Sequence, residues 1–308
     1  MSMRVLVTGA TGFVGYVVAS ALRDAGHDVS ALARSPDRLP PGVTPVPGDL
    51  SSLGAVGDGR FDGVCHLAAL VRVRDSRADP LPFWRTNVGG TLALLDALVA
   101  RGAPPVRLVV ASTCAVYGDG AAQPVSVEAA PAPGHPYGAG KLAADQVVAD
   151  LAATGAIGAV SLRAFNVAGG VAGHGDRDVT RLVPKLVAVA HGRAPELAVN
   201  GDGSAVRDYV HVADMADAFV RALDACRPGR WTAYNVGAGR GSTIAEVIAA
   251  TEAVAGRRLP VRYGPPVSEP AELVADAGRI RRELGWSSRR SDLRRIVADA
   301  YAAAPGSA

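Results

Sequence analysis

The sequence predicts a doubly wound α/β fold, a mostly parallel sheet covered by helices on both faces, with a smaller mixed α/β unit toward the C-terminus. Three observations predict it. Short apolar runs alternate with helix-length segments, the first run feeds a glycine-rich turn that opens a helix, and the alternation loosens after about residue 168. Of the 308 residues 49% are hydrophobic, enough to fill a sizeable core.

Taken in order, Arg4–Thr8 reads as a buried strand, Gly12–Ala25 as a helix ended by Gly26, and Val29–Ala33 as a second strand. A strand over Gly63–Ala68, a helix over about Phe83–Arg101, a strand over Val106–Ser112, a helix from about Tyr137 and a strand over Val160–Phe165 continue the pattern. Gly169, Gly170, Gly173 and Gly175 then mark the chain leaving the sheet. A helix over Leu182–His191, a turn at Asn200-Gly201-Asp202-Gly203 and a short strand over Val206–Val210 follow. Met215–Leu223 reads as a helix returning to the main body and Tyr234–Gly237 as another sheet strand. A helix from about Thr243, a helical region over Ala277–Tyr301 and a fraying tail, Ala304–Ala308, complete the chain. The expected division is 1–168 with 206–237 for the sheet domain, and 169–205 with 238–308 for the smaller one.

Charge is nearly balanced, 32 basic against 29 acidic residues, which argues against a nucleic-acid partner. Cys65, Cys114 and Cys226 are far apart and form no C-x-x-C pair, so neither a disulfide framework nor a metal site is expected, and a reducing cytoplasm fits. The N-terminus carries no signal-peptide pattern, and no stretch is long and apolar enough to span a membrane.

The turn Thr8-Gly9-Ala10-Thr11-Gly12-Phe13-Val14-Gly15 joins the first strand to the first helix. There, backbone N–H groups at a helix start suit a pyrophosphate, and glycines at 9, 12 and 15 allow the turn, the phosphate's approach and close helix packing. A nicotinamide dinucleotide on a Rossmann-type sheet is the expectation. The second strand ends Ala33-Arg34-Ser35, without the acidic residue that binds the ribose diol of NAD, and Arg34 suits either stacking on adenine or a 2′-phosphate. Both NAD and NADP therefore stay open. Asp49 is placed to accept from the adenine amino group, or to form a simple turn.

Tyr137 and Lys141 stand at i and i+4, on one face of a helix, where a cation favours phenolate and brings the phenol toward the range of a general acid/base. Lys141 and Lys185 are the only lysines, so on the order of 0.05 such pairs are expected by chance. Ser112 and Thr113 close an apolar strand at its carboxyl end, the edge where ligands bind in such sheets.

With these stand His66-Leu67-Ala68-Ala69, Asn87-Val88-Gly89-Gly90-Thr91, Leu162-Arg163-Ala164-Phe165-Asn166 and Val206-Arg207-Asp208-Tyr209-Val210-His211-Val212 followed by Asp214. On these motifs nearly the whole chain resembles the extended short-chain dehydrogenases/reductases, within them the nucleotide-sugar epimerases typified by UDP-galactose 4-epimerase. The resemblance implies that Thr113 and Tyr137 flank the sugar C4 hydroxyl, that Tyr137 carries its proton, and that Lys141 tunes the phenol and holds the cofactor ribose. It places Leu50, Leu67, Ala68, Ala69, Asn87, Ser112 and Phe165 against the cofactor, and the nucleotide handle under Asn166, Leu182, Leu197, Ala198, Val199 and Arg207. It also implies a homodimer built by pairing the Phe83–Arg101 helix and the helix from Tyr137 in a four-helix bundle.

Dehydratases of this family carry Asp-Glu just after the catalytic threonine, and related decarboxylases a glutamate at the second position; here Cys114 and Ala115 stand there. A 4-epimerase and an NADP-dependent ketoreductase both remain, and the intact Tyr-x-x-x-Lys argues against a non-catalytic dinucleotide sensor. Three departures from the galactose-type pattern stand out. Val71 replaces a lysine, the acidic ribose selector is absent, and Pro265-Pro266-Val267-Ser268-Glu269 replaces an Arg-x-Gly-Asp segment, leaving Arg207, with or without Arg262, for the diphosphate.

Overall fold

A computed structural model describes residues 2–54, 56, 60–99, 105–267 and 269–304. Its strands, among the described residues, are β1 Arg4–Thr8, β2 Asp28–Ala33, β3 Thr44–Pro47, β4 Gly63–His66, β5 Val106–Thr113, β6 Ile157–Ala164, β7 Asn166–Ala168, β8 Gly170–Val171, β9 His174–Gly175, β10 Leu197–Asn200, β11 Val206–His211, β12 Trp231–Val236, β13 Gly241–Thr243, β14 Val261–Gly264 and β15 Glu272–Leu273. Seven of them form one sheet in the order β12-β6-β5-β4-β1-β2-β3, parallel throughout. The chain winds one way through β1 to β3 and the other way from β4 to β12. The crevice beyond the carboxyl ends of β1 and β4 is therefore the switch point where ligands bind in such sheets.

The sheet is apolar on both faces because both are covered. On one face the helices Phe13–Asp24 and Val212–Ala225 bury Leu22, Phe219 and Leu223. On the other, Gly90–Val99 and Pro136–Ala153 bury Leu94 and Val148. A separate core gathers under the helices Leu182–Ala190, Ile244–Ala255 and Leu293–Ala302. Thr243 and Glu246 form a capping box that starts the Ile244–Ala255 helix, and Gly256, at φ +66°, ends it.

The expected return of 206–237 to the sheet is made by the Val212–Ala225 helix and β12. The strand before them, β11, pairs instead with β7, β13 and β15 in a small second sheet. The helix expected over Phe83–Arg101 consists of a turn at Leu81–Phe83, a π-helical stretch Trp84–Gly89 and the α-helix Gly90–Val99. Ala100 and Arg101 lie outside the described residues, as do Pro305–Ala308 of the expected tail. The helical region expected over 277–301 is two helices, Gly278–Leu284 and Leu293–Ala302, parted by Gly285 at φ +60°. The strand β3 carries Pro45 and Pro47, which read as strand breakers in a sequence but cost no ladder bond at a sheet edge.

Candidate active site

The turn after β1 is built around two glycines. Gly9 adopts φ +77°, where a side chain is strained, and a Cβ there would come within 2.7 Å of the Ala68 nitrogen. A Cβ on Gly15 would collide with the Gly9 carbonyl, so helix and strand can approach only because both positions are bare. The helix that follows starts at Phe13 with no side-chain cap and no acidic residue in its first turn. Its first N–H groups are left for an anion, which is the fit a dinucleotide pyrophosphate requires.

From this turn a cleft of about 1140 Å³ runs over the carboxyl ends of β1, β4 and β5. Gly9, Thr11, Gly12, Phe13, Val14 and Gly15 line one end. Arg34, Asp49 and Leu50 line the side beyond β2, where Asp49 accepts from Ser51 N (2.9 Å) and Ser51 Oγ (2.5 Å). Those Ser51 bonds hold its carboxyl below the usual range. Leu67, Ala68 and Ala69 form the floor, and Ser112, Thr113, Tyr137, Phe165, Asn166 and Leu182 line the part over β5 and β6.

The floor is fixed from below by a polar chain. Leu67 N and Ala68 N both donate to Thr8 Oγ1 at 3.2 Å, and Thr8 Oγ1 lies 2.7 Å from His66 Nδ1. His66 Nε2 lies 3.1 Å from Thr91 Oγ1, which donates to the Asn87 carbonyl at 2.7 Å. The Asn87 side chain takes the Leu70 N–H at 2.8 Å and donates to the Leu70 carbonyl at 2.9 Å. Asn87 is thus buried beneath the cleft wall and shapes it through Leu70.

At the far end the site joins β5 to the Pro136–Ala153 helix, which Pro136 starts and His135 caps through its Nδ1, accepting from Gly138 N. Thr113 Oγ1 accepts from Ala115 N at 3.2 Å, and a hydrogen bond links Thr113 to the Tyr137 phenol. Ser112 turns its hydroxyl inward to Asp145 Oδ2, 2.9 Å away, which leaves Thr113 as the hydroxyl presented beside Tyr137.

The electrostatics differ from the sequence expectation at one point. Burial dominates at Tyr137 and pushes the phenol up to about 12, against the Thr113 hydrogen bond and Arg181, which pull it down. The lowering expected from Lys141 is not among the influences on the phenol, and the loss of water around a phenolate at this depth in the cleft dominates. Lys141 is itself buried, which pushes it down to about 8, with Asp145 opposing. Burial and Lys141 push His66 down to about 3, so its ring is neutral. Cys114, beside Thr113, is pushed up to about 12 by burial and stays a thiol.

Of the residues expected at the nucleotide handle, Asn166 and Leu182 line the cleft, with Asn166 Nδ2 donating to the Asp208 carbonyl at 3.1 Å. Leu197 and Val199 point into the second core, with Ala198 exposed between them. Arg207 lies off the cleft lining, its Nη2 on Glu269 Oε2 at 2.8 Å and its Nη1 on the Val206 and Pro270 carbonyls. Sequence reasoning missed Arg181 and the segment around it. There His174 Nε2 meets the Phe13 carbonyl at 3.2 Å, Arg72 meets Asp178 at 3.0 Å and Arg181 meets Asp176 at 2.9 Å, strapping the segment beside the pyrophosphate turn. It also missed the partners of Arg163, although a charged residue inside the apolar run of β6 signals a buried counter-charge.

The sequence pattern of the NAD dependent epimerase/dehydratase family matches residues 5–237. The chain belongs to that family. A UDP-glucose 4-epimerase of Streptomyces lividans is 42% identical over 98% of this chain and 96% of its own. One from Corynebacterium glutamicum is 36% identical over 97% and 95%. Among solved structures, a UDP-glucose 4-epimerase of Stenotrophomonas maltophila with bound NAD and formylated UDP-arabinopyranose superposes with a TM-score of 0.90. It is 34% identical and 97% of each chain is covered. This member of the epimerase/dehydratase family is therefore an epimerase of the extended short-chain dehydrogenase/reductase type, with a site for a nicotinamide dinucleotide. The ketoreductase alternative is not favoured by these relatives. No helix among the described residues is long and apolar enough to cross a membrane.

Proposed function

We propose that this chain interconverts the C4 epimers of a UDP-sugar, with NAD as its tightly held cofactor. One observation carries the reading: the Thr113 and Tyr137 hydroxyls meet in a cleft whose other end is an uncapped helix start behind Gly9 and Gly15. Near-full-length similarity to UDP-glucose 4-epimerases supports the nucleotide sugar as substrate class.

When bound, NAD supplies the hydride acceptor that oxidises sugar C4, and the hydride donor that reduces the 4-keto sugar on its other face. Tyr137 takes the C4 hydroxyl proton and later gives it back, so its own protonation state is unchanged over a turnover. Thr113 holds that hydroxyl against the phenol. Arg181 and the Thr113 hydrogen bond favour the phenolate that burial opposes, and we assign Lys141, at i+4 on the same helix, the same task. With Cys114 a neutral thiol and Ala115 beside it, the site offers no second acid/base for eliminating water. Asn166, Leu182 and Arg207 are assigned to the nucleotide, Arg207 for the diphosphate once Glu269 yields it.

Incubation with UDP-, dTDP- and GDP-sugars tests this. Conversion of UDP-galactose to UDP-glucose without net change in absorbance at 340 nm is expected, and Tyr137→Phe is expected to lower kcat by about 10³-fold. A stoichiometric absorbance change with turnover would assign the chain to the reductases instead. Arg34, at the adenosine side of the cleft, is the observation that favours NADP as a second cofactor.

Leu81, Trp84 and Leu92 are exposed along the 81–99 helical segment, beside the Pro136–Ala153 helix. We read this face as the one on which two copies pair through a four-helix bundle; a monomer at micromolar concentration in sedimentation rejects it. The three cysteines are unpaired, which supports a reducing, cytoplasmic setting.

A further inference from the structure

Beneath the catalytic helix lies a carboxylate that the reaction as described does not use. Asp145 sits at i+4 from Lys141 on the Pro136–Ala153 helix and is 2% exposed. Its Oδ2 accepts from Ser112 Oγ at 2.9 Å and from Arg163 Nε at 3.3 Å. Burial raises this carboxyl above its ordinary value, and Arg163, Ser161, Ser112 and Lys141 pull it back; with two donors on one oxygen and Arg163 charged at any working pH, we take it as the carboxylate. Its Oδ1 is buried with no donor in good hydrogen-bond geometry among the described residues, although the Ser161 hydroxyl lies near enough to the carboxyl to lower it. A buried carboxylate oxygen without a donor is costly, and a nearby cation is what offsets it.

The groups that face this carboxylate and Lys141 can be named element by element. Tyr137 lies on the same helix. Arg163 and Ser161 come from β6 and Ser112 from β5. Tyr117 accepts from Arg163 Nη1 at 3.0 Å, and His66, at the end of β4, is neutral. Arg163 and Lys141 are thus the two cations and Asp145 the one carboxylate, so a single negative charge serves two positive ones. Burial alone drives Lys141 toward the free amine, and Asp145 is the one group that works against it.

We propose that Asp145 is a positioning residue for the epimerisation: locked by Ser112 and Arg163 one helical turn beyond Lys141, its carboxylate keeps that side chain an ammonium beside the Tyr137 phenol. The inference rests on the catalytic reading of Lys141. Asp145 lies off the cleft lining and acts on Lys141 as a field across the buried site. The geometry separates two roles for one ion pair. Arg163 satisfies the fold by linking Asp145 to Tyr117, whose hydroxyl donates to Asn235 Oδ1 at 2.7 Å, while the surplus of the same carboxylate is spent on the catalytic helix.

Because the chain has only two lysines, Lys141 and Lys185, the test reads the ammonium directly. Lysine-selective ¹³Cε or ¹⁵Nζ labelling gives two signals, and the one that titrates near pH 8 is followed in the wild type, Asp145→Asn and Asp145→Glu. Asn leaves Arg163 buried without its partner, so the companion Asp145→Asn/Arg163→Met removes both charges and keeps the core neutral. Expected in both Asn variants is a Lys141 midpoint lower by about one pH unit, with the alkaline limb of kcat moving by the same amount. Activity then falls about fivefold at pH 8 and less than about twofold at pH 6.5, while Asp145→Glu keeps both close to the wild type. A lower melting temperature or a uniformly lower kcat, with midpoint and limb unmoved, overturns the proposal. So does a wild-type midpoint below pH 7. A midpoint that moves while the limb stays put upholds the coupling and overturns instead the catalytic role of Lys141.

Discussion

Thr8 and His66 face each other across β1 and β4, with Thr8 Oγ1 2.7 Å from His66 Nδ1. The bonds around them fix the protons. Thr8 Oγ1 already accepts from Leu67 N and Ala68 N, so its own hydrogen goes to Nδ1, and the ring carries its proton on Nε2, toward Thr91. Thr8→Val keeps the shape and removes the hub, leaving the Ala68 N–H and the His66 ring without their partner while Leu67 N keeps the Thr8 carbonyl at 3.1 Å. An expected loss of about 2–3 kcal/mol is checked by denaturant unfolding, alongside weaker cofactor binding as the Leu67–Ala69 floor loosens.

The same ring makes stability fall with acid. His66 is held down to about 3 against an ordinary value of 6.5, so between these values the unfolded chain binds a proton that the folded chain refuses. Stability from this group is fully present above pH 6.5 and is lost as pH falls toward 3, by about 5 kcal/mol in all. His66→Gln is expected to flatten that part of the stability curve, measured by urea unfolding at pH 7, 5 and 4.

Gly15→Ala places a methyl against the Gly9 carbonyl, with backbone on both sides and no flexible side chain to yield. The expected cost is about 1–3 kcal/mol of stability. Since the turn must open to relieve it, the purified variant is also expected to carry less nucleotide, read by absorbance after denaturation.

Arg34 lines the cleft beyond β2, on the side proposed for the adenosine of the cofactor. Arg34→Ala is expected to weaken NADP about tenfold relative to NAD, close to the value of one charge-assisted contact, with NAD affinity nearly unchanged. Titration calorimetry with both cofactors on nucleotide-free protein measures the ratio.

Lys141→Met is expected to abolish turnover and to stabilise the fold at pH 7 by about 3 kcal/mol. The folded chain holds Lys141 at about 8 against 10.5, so its contribution to stability is complete only above pH 10.5 and is lost as pH falls toward 8. The gain of the variant over wild type should therefore shrink between pH 8 and 10.5, which unfolding at pH 7 and pH 10 checks.

Local chemistry made much of the site legible before any coordinates. Gly9, Gly12 and Gly15 mark a strand-to-helix turn, which at Gly9 and Gly15 only a bare position permits, and Tyr137 and Lys141 share a helix face because four residues make about one turn. The apolar runs that became β1, β2, β5 and β6 declared themselves through burial on both faces. Read alone, the sequence thus determined the class of fold, the glycine turn between β1 and the first helix, and the shared helix face of the Tyr137–Lys141 pair proposed to handle the proton.

Tertiary structure decided what depends on register between distant segments. It made Thr44–Pro47 an edge strand despite two prolines and turned Leu197 and Val199 into core. It also gave the Arg207 guanidinium to Glu269, 62 positions away. Above all it set the charge around Tyr137. Spacing places Lys141 on the helix face of the phenol, but only the packed interior shows that burial dominates at Tyr137 and that Asp145, held by Ser112 and Arg163 from two strands, stands behind Lys141. Desolvation belongs to the whole enclosure and not to any short stretch of sequence, which is why no motif announces it.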